Sequence, residues 1–288
     1  MIIVKDNIIR NLQAYGGITY YWNSLYSAMS DVDVHDLNST TSRFRYLPAR
    51  YQETERHIFH SSYYRTPLNR MACTVTTVHD FVYELYVTGL RRHVNHFQKW
   101  NAIRNSAGVI CISANTRNDL LRFLPIGKRV NVEVVHNGFN TLNVEPEELE
   151  AVQKRGRPFF LFLGGRSGYK NFDLAVDLVA GLKSESLVIV GGGPLTSAEL
   201  KLLNDKLDGR YDYFSFSTDP QLKWLYQNCE ALIYPSLYEG FGMPPLEAAY
   251  QGAPVFALDT PSSRELYADF FEVCPSTSVS RYMVEEMR

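Results

Sequence analysis

The sequence predicts an α/β fold of two domains, each built on a parallel β-sheet that is buried on both faces. Short continuous runs of Val, Ile, Leu and Phe alternate with helix-like stretches along the chain, which is typical of parallel sheets covered by helices. The length of 288 residues and the hydrophobic content of 45% suffice for two domains. A polar segment at residues 143–157 (NVEPEELEAVQKRGR) interrupts the alternation. We therefore expect an N-terminal domain over residues 1–142, a linker over 143–157 and a C-terminal domain over 158–288, with a cleft between the two domains.

The predicted strands are the apolar runs themselves. In the first domain they are residues 2–4, 73–78, 108–112 and 132–135, and in the second they are 159–163, 187–190, 211–216, 231–234 and 255–257. Helix-like stretches separate them, which favours parallel pairing. Because α/β folds bind ligands at the carboxyl ends of their strands, the segments directly after these runs are the candidates for function.

The composition indicates a protein of the reducing cytoplasm. Four cysteines lie far apart without C-x-x-C spacing, so neither disulfides nor a zinc site is predicted. The first residues, MIIVKDNIIRNLQ, carry charges within an apolar run and are predicted to form a strand rather than a signal peptide. No apolar stretch is long enough to span a membrane. Walker A, G-x-G-x-x-G and H-E-x-x-H motifs are all missing from the sequence, and no metal and no cofactor are expected.

Charge is distributed unevenly, although the net charge is only −2. Residues 1–140 contain 16 Lys and Arg against 10 Asp and Glu, whereas residues 141–288 contain 13 against 21. The basic half includes the run RRHVNHFQKW at residues 91–100. Such a run is usually a solvated helix face, and the alternative is contact with anionic lipid head groups or a phosphorylated acceptor. Nucleic acid is not an expected partner, because no basic run is dense enough to follow a phosphate backbone.

The most informative motif covers residues 234–254 and reads YPSLYEGFGMPPLEAAYQGAP. A strand leads into a turn with Gly240 and Gly242, and the following pair of prolines suits the first turn of a helix. We expect Glu239 in the loop and Glu247 in the first helical turn, at the same end of the sheet. Free N–H groups at a helix start bind anions, and carboxylates accept hydrogen bonds from hydroxyls, so the motif predicts a site for a nucleotide or a phosphorylated sugar. Taken singly, the two glutamates would be a solvated loop residue and a favourable charge near a helix N-terminus.

Two further glycine segments belong to the second domain. Residues 159–171 (FFLFLGGRSGYKN) run from a buried strand through Gly165 to Arg166 and Lys170, and two cations beside a glycine turn suit a diphosphate. The alternative is a pair of cations on a surface loop. Residues 187–194 (LVIVGGGP) place Gly192 in a turn that allows close approach of a ligand, although such turns also join ordinary strands and helices.

The first domain contributes two candidates. Gly17 lies in a glycine pair that precedes a helix-like stretch, and His79 follows the strand VTTV beside Asp80. A histidine at a strand end is a candidate for substrate contact, whereas a lone histidine is more often a hydrogen-bonded core residue.

Together, the segments YEGFGMPPLEAAYQGAPV, GGRSGYKNF and VIVGGGP and the early GGI resemble the retaining glycosyltransferase family 4. The resemblance implies the GT-B fold, in which the parallel sheets of two Rossmann-like domains face each other across a cleft. HSSYYR and VTTVHD are also similar to segments of bacterial polysaccharide-building members. The resemblance implies transfer of a sugar from a nucleotide-diphosphate sugar to a glycan or lipid-linked glycan, with retention and without metal. It also implies O-antigen or capsule synthesis in the cytoplasm, with peripheral contact to the inner membrane.

The resemblance implies roles for individual residues as well. Glu247 would bind the ribose, Glu239 and His79 would contact the transferred sugar, and Arg166 and Lys170 would stabilise the leaving diphosphate. Other donor-binding residues would offer backbone groups or leave room for the phosphates, and these are Gly17, Gly165, Gly192, Phe241, Gly242 and Met243.

Other functions stay open at this point. A nucleotide-sugar epimerase or a phosphorylase of the same fold is one alternative, although no lysine motif for a phosphorylase cofactor is present. A non-catalytic sugar-nucleotide-binding partner subunit is another. Family members usually carry a last helix that crosses back onto the first domain, and residues 282–288 (YMVEEMR) stand where it would begin. We therefore expect this crossover helix to be missing.

Overall fold

The computed structural model describes residues 1–13, 16–127, 130–166, 168–271, 273 and 274. Contacts divide the chain into two compact units, Met1–Gly138 and Phe139–Arg288. Each unit is built on one parallel sheet, so the predicted α/β class with two parallel sheets is confirmed. The expectation of a missing crossover helix concerns residues 275–288, which lie outside the described residues.

The first unit contains a six-stranded sheet with the order β2-β1-β3-β4-β5-β6. Its strands are β1 (Ile2–Asp6), β2 (Asp33–Leu37), β3 (His57–Ser61), β4 (Ala72–Val78), β5 (Gly108–Cys111) and β6 (Asn131–Val134). Its helices are α1 (Gly17–Ser27), α2 (Val82–Tyr86), α3 (Leu90–Arg104) and α4 (Ala114–Phe123), and 3₁₀ turns cover Asn7–Asn11 and Ser42–Tyr46. All neighbouring strands are parallel.

The second unit contains a five-stranded sheet with the order β11-β10-β7-β8-β9. Its strands are β7 (Phe159–Leu163), β8 (Ser186–Val190), β9 (Tyr211–Phe214), β10 (Ala231–Tyr234) and β11 (Val255–Ala257). Its helices are α5 (Glu150–Gln153), α6 (Phe172–Ala180), α7 (Ser197–Leu207), α8 (Asp219–Asn228), α9 (Met243–Tyr250) and α10 (Pro261–Leu266), and a 3₁₀ turn covers Gly168–Lys170. The chain adds β8 and β9 on one side of β7 and then returns to add β10 on the other. The strand order therefore reverses between β7 and β10, where doubly wound folds bind ligands.

The core of the second unit lies on both faces of its sheet. Alternate side chains of a strand point to opposite faces, and Phe160 packs with helices α6 and α7 whereas Leu161 packs with α8 and α9. Every residue of β7 and β8 is buried. Continuous apolar strands are what this three-layer arrangement requires, because neither face of the sheet meets water.

Two strands of the first unit were not predicted. β2 (Asp33–Leu37) lies at the sheet edge with mostly exposed, charged residues, and β3 (His57–Ser61) has histidines within its apolar pattern. The nine predicted strands all occur, with ends shifted by at most two residues.

The predicted linker over residues 143–157 lies inside the second unit. Leu142 and Val152 are buried in its core, and Lys223 donates to the carbonyl of Val144 at 2.8 Å. The division between the units falls earlier, between Gly138 and Phe139. Most side chains of this segment are exposed, which agrees with its polar sequence. The buried side chains of Leu142 and Val152 hold it against the sheet.

A buried ion pair fixes α3 in the first unit. Lys99 Nζ lies 2.8 Å from Glu84 Oε2 and donates to the carbonyl oxygen of Asp80 at 2.8 Å, and both charged side chains are only 1% exposed. Removing one partner of such a pair leaves the other charge buried without compensation.

We therefore expect Lys99→Met to lower the free energy of unfolding by about 3–5 kcal/mol, because the Glu84 carboxylate stays buried without its ammonium partner. Urea denaturation followed by circular dichroism measures this loss. The double variant Lys99→Met with Glu84→Gln should regain part of it. A single variant as stable as wild type would show that the pair does not stabilise this unit.

Candidate functional site

The predicted site residues of the second unit come from loops at one edge of its sheet. Because β7, β8 and β10 are parallel, the loops that follow them begin at the same edge. The loops after β7 and β10 flank the point where the strand order reverses. The structure therefore brings together residues 164–166 and 168–171 with residues 235–242, which are about 70 residues apart in sequence.

An ion pair joins these two loops. Lys170 Nζ lies 2.6 Å from Glu239 Oε1 and 3.4 Å from the hydroxyl of Tyr234, and each charged side chain is 15% exposed. A backbone hydrogen bond from Leu237 N to Tyr169 O, at 2.8 Å, ties the same loops. The pair thus places a cation and a carboxylate, both partly exposed, at the switch point of the sheet.

A tyrosine holds the loop between Glu239 and α9. The hydroxyl of Tyr267 lies 2.9 Å from the carbonyl oxygen of Phe241 and 2.7 Å from that of Gly242, and it donates to them. Gly242 has φ +78, and a Cβ there would overlap the Tyr267 hydroxyl. Helix α9 begins at Met243 with proline in its first turn, as predicted. Because proline has no N–H, the anion-binding donors here are limited to the N–H groups around Gly242 and Met243.

Glu247 is a largely buried carboxyl group on α9. It is the fifth residue of the helix, so the expected place in the first turn is wrong by one position. Its Oε2 accepts a hydrogen bond from the hydroxyl of Tyr226 at 3.1 Å. Burial raises the pKa of Glu247 to about 7, against the opposing effects of the Tyr226 hydroxyl and the backbone N–H of Asn140. Near neutral pH this group can therefore exist both as an acid and as a carboxylate.

Arg166 is engaged within its own unit. Its Nε lies 2.8 Å from Glu199 Oε1, and its terminal nitrogens donate to the carbonyl oxygens of Gly191 at 2.6 Å, Gly193 at 2.7 Å and Pro194 at 3.0 Å. The side chain is only 3% exposed. Sequence reasoning expected Arg166 to lie beside Lys170 at a diphosphate, whereas in the structure the guanidinium holds the glycine turn after β8.

The same contacts explain the glycines of that turn. A Cβ at Gly192 would approach the Arg166 guanidinium at 2.5 Å and the carbonyl oxygen of Gly164 at 2.8 Å. Glu199 also accepts from the backbone N–H of Thr196 at 2.7 Å, as part of the box that caps α7. Gly165 has no neighbour within 4 Å of the position that a Cβ would take. Packing therefore requires a glycine at position 192, whereas the space beside Gly165 is open.

The two candidates of the first unit lie at strand and helix ends of that unit. Gly17 is the first residue of α1, after Gly16 with φ +132. His79 follows β4 and is 8% exposed, and its Nε2 atom has no hydrogen-bond partner among the described residues. Burial, with a smaller effect of the Lys99 charge, lowers the pKa of His79 to about 3. The imidazole is therefore neutral at physiological pH and suited to hydrogen bonding rather than to charge stabilisation.

Three functional contacts were not predicted from the sequence. The hydroxyls of Tyr226, Tyr234 and Tyr267 contact Glu247, Lys170 and the glycine loop, respectively. Tyr234 lies at the start of the predicted motif, but the other two stand outside it. Within the described ranges, no group of three or more His, Cys, Asp and Glu is arranged to hold a metal ion. None of the helices in the described part of the chain is long and apolar enough to cross a bilayer.

Comparison with known proteins relates the second unit to a protein family. Residues 144–283 match the family model described as glycosyl transferases group 1. The second unit belongs to the group 1 glycosyltransferases. This match covers Lys170, Glu239 and Glu247, so the expected resemblance to a glycosyltransferase family is confirmed.

Curated relatives of this family include enzymes of O-antigen synthesis. O-antigen chain mannosyltransferase RfbU of Salmonella typhimurium is 25% identical over 169 residues, which are 57% of this chain and 46% of the relative. O-antigen chain mannosyltransferase B of Escherichia coli is 24% identical over 228 residues, which are 74% of this chain and 60% of the relative. The chain thus spans about half the length of the curated relatives it matches.

Solved structures show the same fold over the whole chain. Sucrose-phosphate synthase from Thermosynechococcus elongatus has a TM-score of 0.72 at 17% identity, covering 100% of this chain and 89% of that one. WaaG, a glycosyltransferase involved in lipopolysaccharide biosynthesis, has a TM-score of 0.67 at 15% identity, covering 100% and 90%. These neighbours are GT-B glycosyltransferases, and the predicted GT-B fold class is confirmed.

We expect Gly242→Ala to destabilise the second unit by more than Gly252→Ala. Both glycines have positive φ, but no atom lies within 4 Å of a Cβ at Gly252, whereas a Cβ at Gly242 overlaps the Tyr267 hydroxyl. Strain alone costs about 1 kcal/mol, and the overlap adds to it. Thermal unfolding of the two variants measures the difference. Equal losses would show that Tyr267 moves away without cost.

The raised pKa of Glu247 predicts a pH-dependent contribution to stability. The folded-state value of about 7 exceeds the ordinary value of 4.5, so the stabilising contribution is complete below about pH 4.5 and is lost as the pH rises through about 7. Wild type should therefore lose stability relative to Glu247→Gln as the pH rises from about 4.5 to about 7. Melting temperatures of both proteins across this range test the prediction. Parallel curves would contradict it.

Proposed function

We propose that this protein is a retaining, metal-independent glycosyltransferase, which transfers a hexosyl group from a nucleotide-diphosphate sugar to a glycan or lipid-linked glycan. Membership of the second unit in the group 1 glycosyltransferases supports the class of reaction. Relatives named O-antigen chain mannosyltransferases favour bacterial surface polysaccharide synthesis and make mannose the first sugar to test. We place the enzyme in the cytoplasm, where nucleotide sugars are made, with peripheral contact to the inner membrane.

The observation that carries this proposal is the Lys170–Glu239 pair at the switch point of the second sheet. A diphosphate that enters beside Lys170 would replace Glu239 as the partner of the ammonium group. The released carboxylate would then accept hydrogen bonds from hydroxyls of the transferred sugar. The N–H groups around Gly242 and Met243 would complete the site, because a helix start favours negative charge.

The nucleoside would lie beside Glu247. A ribose offers two neighbouring hydroxyls, and a carboxylate can accept both hydrogen bonds. Tyr226 holds one carboxylate oxygen from the core side, which orients the group. In this arrangement Glu247 contributes to nucleotide affinity, and Glu239 binds the transferred sugar.

In the reaction, the bond between the anomeric carbon and the diphosphate oxygen breaks, and charge develops on an oxocarbenium-like sugar and on the leaving group. The acceptor oxygen attacks from the face that the diphosphate leaves, and its proton passes to the departing phosphate oxygen. The new bond therefore keeps the original configuration. Lys170 stabilises the charge of the leaving group, and Arg166 contributes by holding the 191–194 turn and through that turn the shape of the site.

Neutral His79 of the first unit suits a hydrogen bond to a sugar hydroxyl. Its unpartnered Nε2 is an unused donor or acceptor on a buried ring, and a ligand hydroxyl would satisfy it. The glycine pair before α1 would let a phosphate approach the start of that helix.

We expect Lys170→Ala to lower the rate of transfer by a factor of about 10² to 10³, because a preorganised charge at the leaving group is lost. Glu239→Ala should also mainly slow transfer, and Glu247→Ala should mainly weaken nucleotide binding. The exposed Lys201→Ala on α7 is the matched control and should behave as wild type. The assay uses UDP-, GDP- and dTDP-sugars with and without glycan acceptor, and a thermal-shift series with the corresponding diphosphates identifies the base.

The outcomes separate the candidate functions. Release of nucleoside diphosphate that depends on acceptor supports transfer, and NMR of the product shows whether the anomeric configuration is retained. Interconversion of the sugar without release indicates an epimerase, and binding without turnover indicates a partner subunit. Normal turnover of Lys170→Ala, or full dependence on added Mg²⁺, would overturn the proposed mechanism.

A further inference from the structure

Helix α3 buries Ala102 and Ile103 as an ordinary surface helix would, but it also buries two polar side chains and exposes three apolar ones. Its buried side includes Asn95 and Lys99, which are 6% and 1% exposed, whereas Leu90, Val94 and Phe97 are 78%, 36% and 61% exposed. The spacing of these three apolar residues places them on one face of the helix. They form a continuous outward stripe rather than scattered surface residues.

The buried contacts explain why the helix keeps this orientation. Lys99 binds Glu84 and the carbonyl oxygen of Asp80, and Asn95 donates to the hydroxyl of Tyr63 at 3.2 Å. A rotation of α3 that buried the apolar stripe would move Lys99 and Asn95 away from these partners, and it would break the buried ion pair. The exposed apolar stripe is thus built into the packing of the first unit.

A second segment extends the surface. Gln98 on α3 donates to the carbonyl oxygen of Arg45 at 2.9 Å and so ties the 3₁₀ turn Ser42–Tyr46 to the helix. Phe44, Tyr46 and Leu47 are 39%, 52% and 55% exposed. The resulting surface, called here the basic apolar patch, consists of Arg43, Phe44, Tyr46, Leu47, Leu90, Arg91, Val94, Phe97 and Arg104.

The charge of this surface has one sign. Residues 37–52 and 85–118 contain no Asp or Glu, whereas Arg43, Arg91 and Arg104 are all exposed. The guanidinium of Arg104 lies 4.5 Å from the ring centre of Trp100, so an aromatic ring and a cation share the edge of the stripe. Apolar side chains flanked by arginines and an indole match the boundary of a bilayer that carries anionic head groups.

We propose that the basic apolar patch docks this protein onto the surface of an anionic lipid bilayer. Leu90, Val94 and Phe97 enter the acyl boundary, and the arginines bind the head-group phosphates. A symmetric second copy is the less suitable occupant, because it would bring two sets of arginines together. The proposal deepens the proposed function by bringing the enzyme to lipid-linked acceptors. It is tested without donor, acceptor or turnover, so that either idea can fail alone.

Flotation with lipid vesicles tests this docking. The full chain should bind phosphatidylcholine vesicles that contain phosphatidylglycerol, should bind vesicles of phosphatidylcholine alone much more weakly, and should be released by salt. Leu90→Ser with Phe97→Ser, and separately Arg91→Glu with Arg104→Glu, should each lower the partition coefficient by about tenfold or more. Circular dichroism confirms that these surface variants stay folded.

Matched controls lie elsewhere in the same unit. Leu121→Ser removes an apolar side chain of α4 that is 56% exposed, and Arg56→Glu with Arg70→Glu reverses two exposed charges near the starts of β3 and β4. Both should bind vesicles as wild type does. Equal binding to neutral vesicles, no binding at all, or equal losses in the controls would overturn the proposal. Sedimentation velocity showing a wild-type dimer that both patch variants dissociate would assign the surface to a second copy instead.

Discussion

The ion pair between Lys170 and Glu239 is the constraint on which the proposed donor site depends. It joins the loops after β7 and β10, the two strands between which the order of the sheet reverses, and it is shielded from water on most of its surface. A pair of this kind contributes little net stability, because desolvation of the two charges offsets most of their attraction. It does fix where a cation and a carboxylate stand before any ligand arrives. A diphosphate sugar supplies both an anion and hydroxyls, so it can take over each partner of the pair without leaving a buried charge uncompensated.

Tyrosine hydroxyls and one arginine hold the rest of this site in place. Tyr267 fixes the glycine loop through two carbonyl oxygens, Tyr226 orients Glu247, and Arg166 holds the turn after β8 through four carbonyl oxygens. Backbone carbonyls of glycine-rich turns have no side chains to shield or bind them, so such turns keep one shape only when donors from elsewhere reach them. The glycines therefore serve two purposes that are linked. They leave room for a ligand, and they leave room for the side chains that hold the turns rigid.

The sequence allowed the second unit to be predicted better than the first, and the reason is physical. Strands β7 and β8 are buried on both faces and read as unbroken apolar runs, whereas β2 lies at an edge with exposed Asp33 and β3 begins and nearly ends in histidine. Lys170 and Glu239 could be placed because they stand seven and five residues after the ends of β7 and β10. Glu247 could be placed because two prolines mark the start of its helix. The contacts of Arg166 could not, because its partners Gly191 and Glu199 are 25 and 33 residues away and nothing in the local pattern indicates the pairing. The contacts of Tyr267 could not be predicted either, because its hydroxyl binds carbonyl oxygens 25 and 26 residues away and such a contact leaves no periodic pattern in the sequence.

The basic run at residues 91–100 shows a further limit of pattern reading. Polarity alone assigns Lys99 and Asn95 to the solvent side of a helix and Leu90 and Phe97 to the core. The structure reverses both assignments, because a carboxylate and a carbonyl inside the unit accept from the Lys99 ammonium group and a tyrosine hydroxyl accepts from the Asn95 amide nitrogen, at 2.8–3.2 Å. Once a buried ion pair sets the rotation of a helix, the opposite face points to solvent whatever its polarity. An outward apolar stripe among arginines is then a consequence of the fold rather than a failure of packing, and a hydrophobic surface fixed in this way is available to a partner at no cost in rearrangement.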